Sequence, residues 1–115
     1  MVEKFVFWLS SIIEDDPIPS EIKNIVFNVV KNGEYKYLQL IGYEKYISNN
    51  SMCFMPLEAY YFDCKELAKL SDENFYLKSK YIIEEAFSNI ILKNEFKNLN
   101  IYIKFNNKLE LLFNV

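Results

Sequence analysis

The sequence predicts a single α+β domain over residues 1–115. The expected architecture is one antiparallel sheet of about five to six strands, an N-terminal meander and a C-terminal hairpin, with one long helix and room for a short one packed on one face. Three observations carry this expectation. An Asn-Gly pair at 32–33 separates two apolar, alternating runs; a helical periodicity follows Ser71; and a second alternating pair flanks Asn106-Asn107-Lys108.

The first element, "KFVFWLSSII" from Lys4 to Ile13, is apolar on both alternating faces and reads as a central strand covered on both sides. Glu14, Asp15 and Asp16 follow it. Pro17 pushes Asp16 out of helical geometry, and Pro17 and Pro19 lack ladder donors, so the acids mark a corner at the strand's end.

From Glu21 to Tyr43 the Asn32-Gly33 pair implies a type I′ hairpin in which Lys31 faces Glu34, Phe27 faces Leu38 and Ile25 faces Leu40. The opposite face then sets Val30 against Tyr35 and Asn28 against Tyr37. Ile22, Ile25, Val26, Val29 and Val30 also fit helical spacing, with Ser20 and Gly33 as caps. The strand reading is preferred because Ile, Val and Phe favour strands.

"MCFMPLEAYYFDC", Met52 to Cys64, reads as an extended segment interrupted at Pro56. Asp63 and Glu66 have capping-box spacing ahead of a short helix "CKELAKL". Ser71, with Asp72 and Glu73 behind it, opens the main helix, expected from about Asp72 to about Asn94. Its buried face takes Phe75, Ser79, Ile82, Ile83, Ala86, Phe87 and Ile90. Leu77, Tyr81 and Leu92 form a stripe on the far side, a candidate partner or dimer surface. In the last hairpin a three-residue loop at Asn106-Asn107-Lys108 would place Ile101, Ile103, Phe105, Leu109, Leu111 and Phe113 on one face; a two-residue loop would oppose Ile103 to Glu110.

Composition narrows the chemistry. Thirteen basic residues, all lysine, stand against sixteen acids, a net charge of −3, which disfavours a phosphate-tracking surface and suits a basic protein partner. The abundance of Lys, Asn and Ile without Arg is what an AT-rich bacterial or phage coding region produces. Histidine is absent, removing the usual general base and metal ligand. Two cysteines, Cys53 and Cys64, are too few for a secreted disulfide scaffold, and the apolar N-terminal run is too short for a membrane span, so the expected compartment is the cytoplasm. With Gly33 and Gly42 the only glycines, no phosphate-cradling loop is expected.

No catalytic, cofactor-binding or metal-binding residue is assigned. Adjacent acids in an extended corner point apart, and Pro17-Ile18-Pro19 breaks a calcium-loop pattern. The expected function is that of a non-enzymatic, protein-binding module, such as a small acidic inhibitor, immunity or anti-defence protein acting by occlusion. Glu14, Asp15 and Asp16 would steer a basic partner, and Tyr35, Tyr37 and Tyr43, on one strand face, would supply contact area. Two alternatives stand beside it: a single-stranded nucleic-acid binder stacking bases on those tyrosines, and a small enzyme working through carboxylates or Cys64.

Overall fold

A computed structural model describes residues 1–47 and 61–115, and the strand placement of 52–54. The chain runs α1 (Val2–Asp15), β1 (Asn24–Asn32), β2 (Tyr35–Tyr43), β3 (Met52–Phe54), β4 (Tyr61–Phe62), α2 (Lys65–Ala68), α3 (Asp72–Ala86), α4 (Ile90–Glu95), β5 (Asn100–Phe105) and β6 (Lys108–Asn114). The strands form one sheet in the order β3-β2-β1-β5-β6, with β4 also pairing with β2. The architecture is α+β, as the sequence implies. Pro56, where the interruption is expected, and the side chain of Cys53 lie outside the described residues; Cys64 is a free thiol.

The first element is a correction. Residues 2–15 form a helix rather than a central strand, and its buried positions are Phe5, Trp8, Leu9, Ile12 and Ile13. That spacing of three, four, seven and eight is a helical stripe, which apolar residues between the stripe positions had disguised as two strand faces. The helix stops where expected: Asp16, held extended ahead of Pro17, is its C-cap at φ −130° and ψ 85°.

Residues 24–43 form the hairpin, not the rival helix, with a shifted register. Asn32 lies opposite Tyr35, Lys31 opposite Lys36, Phe27 opposite Leu40 and Val26 opposite Ile41. The two-residue loop is therefore Gly33-Glu34. Gly33 alone has a positive φ, +63°, which is the requirement of a type II′ turn, where glycine takes the first loop position. A shift of two residues preserves the face of every side chain, so the inward set survives.

The sheet is mixed, a second correction. β1 and β5 run parallel, Asn24 beside Asn100 through Asn28 beside Lys104. The cause is the helical return. α3 starts at the hairpin's turn end, where Asp72 meets Lys31 and Lys36, and α4 delivers the chain back to Asn100, whose N–H donates to the Lys23 carbonyl. A strand begun at that end must run with β1.

Ser71 caps α3, accepting from the Asn74 N–H at 3.3 Å. The expected single helix to Asn94 is broken, however. Asn89 accepts from the Ile91 and Leu92 N–H groups and starts α4 on a new axis. The break turns Leu92 into the core and Ile90 out to solvent, reversing both expectations. Cys64 occupies the N-cap position of α2 with no side-chain cap bond, so Asp63 closes no capping box.

In the last hairpin the loop is Asn106-Asn107, both at positive φ, and Ile103 lies opposite Glu110. The three-residue loop is thus replaced by the two-residue one. A register shift at Leu112 then returns Phe113 to the helical side, where its ring packs 5.3 Å from that of Phe87. Leu109 and Leu111 are left on the other face.

The main core lies between the helices and one side of the sheet. The Phe5 ring lies 5.4 Å from Phe27, 5.5 Å from Trp8 and 5.1 Å from Phe62, and Ile25, Leu38, Leu40, Ile101 and Ile103 fill the sheet side. On the opposite side a smaller cluster of Val26, Ile41 and Tyr43 is joined by Ile47 and Tyr102.

Candidate functional site

The six steering and contact residues read from the sequence fall in three places. Tyr35 and Tyr37 come together, lining a groove of about 570 Å³ with Asp63, Lys65, Glu66 and Lys69. Strand alternation puts both rings on the face that does not carry the main core, and Asp63, α2 and Lys69 supply the charged wall. The Lys69 ammonium sits 5.5 Å from the Tyr35 ring centre, and the Tyr37 ring lies 5.7 Å from that of Tyr61.

Tyr43 is elsewhere. It is buried with Val26 and Ile41, and burial raises its phenol above the ordinary value, so its ring is packing material.

Glu14, Asp15 and Asp16 occupy the last turn and cap of α1, with no basic residue in that turn. Carboxylates at a helix C-terminus oppose the helix dipole, so their placement does not stabilise the helix they end. The connection after them enters β1 at Asn24, opposite Tyr43. Tyr35 is eight residues further along β2, roughly 26 Å at the usual strand rise. The acids and the Tyr35/Tyr37 groove are therefore separate features.

Leu77 and Tyr81 are exposed on α3, and a shallow groove of about 450 Å³ joins them to Met1, Leu70, Asn74 and Lys78. Leu92 does not belong to this stripe, being buried by the break before α4. In its place the structure exposes residues that sequence reasoning missed: Phe7 on α1, 74% exposed, and Ile90 and Ile91 at the start of α4, 72% and 61%. The signal for Phe7 was available once residues 2–15 were taken as a helix, since position 7 falls off the 5-8-9-12-13 stripe. The signal for Ile90 and Ile91 was Asn89, a strong N-cap residue in the middle of the supposed helix.

Charge is uneven over the helices. Exposed carboxylates are Glu3, Glu14 and Asp15 on α1, Glu66 on α2, Asp72, Glu73, Glu84 and Glu85 on α3, and Glu95 on α4; the exposed lysines there are Lys4, Lys65, Lys78 and Lys93. The helical layer is thus acidic and carries large apolar side chains at the same time.

Cys64 turns inward. Its thiol donates to Glu66 at 3.0 Å, and burial together with that hydrogen bond raises its pKa. The same hydrogen bond lowers that of Glu66, with Lys4 assisting. A thiol held protonated beside a carboxylate is a weak nucleophile. Among the described residues no group of three or more His, Cys, Asp or Glu side chains could hold a metal ion. No helix among them is long and apolar enough to cross a membrane.

The largest cleft described, about 720 Å³, lies between α3 and the β5–β6 hairpin, with Asp72, Glu73, Tyr76, Phe105, Leu109 and Glu110 in its walls. Two of its three carboxylates are committed to internal contacts. Glu110 accepts from the Tyr76 hydroxyl and pairs with Lys80 at 2.7 Å, while Asp72 pairs with Lys31 at 2.7 Å and Lys36 at 3.5 Å. A scan against protein-family models, a search of curated proteins and a search of solved structures each return no match to this chain.

Proposed function

We propose that this chain is a non-enzymatic protein-binding domain that covers a basic partner with the outer face of its helical layer, in the manner of a small acidic inhibitor acting by occlusion. One observation carries the reading: Phe7, Leu77, Tyr81, Ile90 and Ile91 are each more than half exposed, and all five lie on α1, α3 and α4, whose exposed charges taken together are eight carboxylates against three lysines. Isolated exposed apolar residues are ordinary, but their concentration on one layer is a feature of binding surfaces. Flanking carboxylates speed encounter with a basic protein and discriminate against acidic ones.

Glu14 and Asp15 take part in this reading as members of that acidic surface. The Tyr35/Tyr37 groove is weaker as a binding site for single-stranded nucleic acid, because Asp63 and Glu66 share it with Lys65 and Lys69.

The test is affinity capture from the source cells with the wild-type chain and a Phe7→Ser/Tyr81→Ser/Ile91→Ser variant, with and without nuclease and at two salt concentrations. The expected result is a dominant basic protein that survives nuclease, weakens with salt and is absent from the variant's eluate. Identical capture by the variant would overturn the helical face, and loss of all specific bands on nuclease treatment would favour the tyrosine groove. Surface changes of this kind leave stability nearly unchanged, so the variant reports binding rather than folding.

A further inference from the structure

The two edges of the sheet are finished differently. β2 is covered on its outer side by β3 and β4, whereas β6 pairs only with β5 among the described residues. A free edge is normally guarded by outward charge, proline or a very short strand. β6 has seven residues, and its central charge does not guard it. Glu110 is turned under α3, where Tyr76 donates to it and Lys80 neutralises it at 2.7 Å. What the edge presents on the far side of the sheet is Leu109 and Leu111, 43% and 55% exposed, beside Lys104 and Tyr102.

We propose that β6 pairs antiparallel with β6 of a second copy of this chain, about a two-fold axis at Glu110. The register follows from the strand itself. Centring the axis on Glu110 sets Leu109 of each copy opposite Leu111 of the other and Lys108 opposite Leu112, creating two apolar cross-strand pairs. Centring it on Leu109 would run the overlap into the Asn106-Asn107 turn. Centring it on Leu111 would oppose Leu109 to Phe113, which the register shift at Leu112 has returned to the helical side. The two Glu110 carboxylates that meet at the axis each keep their own Lys80 and Tyr76 partners. This self-complementarity selects a second copy over an unrelated strand.

The axis stands perpendicular to the sheet, so both helical layers emerge on the same side of one continuous sheet. Their outer faces stay uncovered. The dimer does not depend on what those faces bind, but it would present two of them together and raise avidity for a repeated partner surface.

The experiment measures solution mass by light scattering over a dilution series for the wild type, a Leu109→Lys/Leu111→Lys variant and an Ile91→Lys variant. Expected are about twice the 13.8 kDa chain mass for wild type and Ile91→Lys, and the monomer mass for the edge variant, whose melting curve should match that of wild type diluted to the monomer. A wild type that stays monomeric at its highest attainable concentration, or an edge variant that still dimerises, overturns the proposal. Amide exchange on the wild type guards against a misfolded edge variant: protection at residues 108–111 must rise with protein concentration, and concentration-independent protection there overturns the proposal equally.

Discussion

The two sides of the sheet share strands but not composition. Beneath the helices, the side chains of Ile25, Phe27, Leu38, Leu40, Ile101 and Ile103 meet the aromatic group of Phe5, Trp8 and Phe62. On the other side, among the described residues, the covered apolar side chains are Val26, Ile41 and Tyr43, with Tyr102 partly covered, while Leu109 and Leu111 remain in water. Stability is therefore concentrated on one side, and the other is left with surface for contact.

The largest expected effect tests that asymmetry directly. Phe5→Ala removes a ring touching three others and should cost about 3–5 kcal/mol in chemical denaturation. Val26→Ala, equally buried but in the small cluster, removes two methyl groups and should cost about 1–2 kcal/mol. Equal losses would mean that the two sides share the load and that the contrast drawn from burial is wrong.

How much of this was legible in the sequence follows from which signals were local. Strand alternation is local, so the inward faces of residues 24–43 and of Ile101, Ile103 and Phe105 were readable even though the first register was off by two. Loop length was not readable, because Asn32, Asn106 and Asn107 each tolerate positive φ and the turn type depends on which residue takes it. Helix α1 was legible in principle, but Val6 and Phe7 between its stripe positions imitate a strand. The parallel β1–β5 pairing rests on where α3 and α4 deliver the chain, a long-range consequence that no window reveals. Of the site residues, Tyr35 with Tyr37 and Leu77 with Tyr81 stayed together as read. Tyr43 and Leu92 did not, because each is buried by an element whose position the sequence did not specify.

Next in size is a pair inside α4. Leu92→Ala should destabilise by about 2–5 kcal/mol, since the side chain is fully buried, while Ile91→Ala should change stability by less than about 0.5 kcal/mol. The neighbours thus report the Asn89 break. If Ile90→Ala proved more damaging than Leu92→Ala, the continuous helix to Asn94, which buries Ile90 and exposes Leu92, would be the better description, and the exposed helical face would lose Ile90 from its five apolar members.

Ser79 sharpens the comparison from within the covered side. Its hydroxyl is buried on α3 without a hydrogen-bond partner among the described residues, in a layer otherwise filled by hydrocarbon. Removing an unsatisfied buried hydroxyl relieves its desolvation cost, so Ser79→Ala should raise stability by about 1 kcal/mol. A clear loss in thermal or denaturant melting would show that the hydroxyl is satisfied in solution by a partner such as water.

The smallest effect concerns the tie between the helical layer and the hairpin that carries both sides. Lys31 and Lys36 lie opposite each other on β1 and β2, a repulsive pair that Asp72 bridges from the first turn of α3. The Lys31 hydrogen bond, helped by the charges of both lysines, holds the Asp72 carboxyl below the usual carboxylate range. A carboxyl whose pKa is lower folded than unfolded binds fewer protons in the native state, so its contribution is complete above the unfolded value. It fades as pH falls through the folded one. The window opens at about pH 4 and extends downward. Between those limits wild type should lose melting temperature faster than Asp72→Asn, and the two curves should run parallel above it. Because Asp72 is exposed, the difference should be modest and should shrink with added salt. Parallel curves throughout the acid limb would mean that Asp72 adds nothing to the tie, leaving apolar packing and the 2.7 Å hydrogen bond from Lys36 to the Leu70 carbonyl to join the helices to the β1–β2 hairpin.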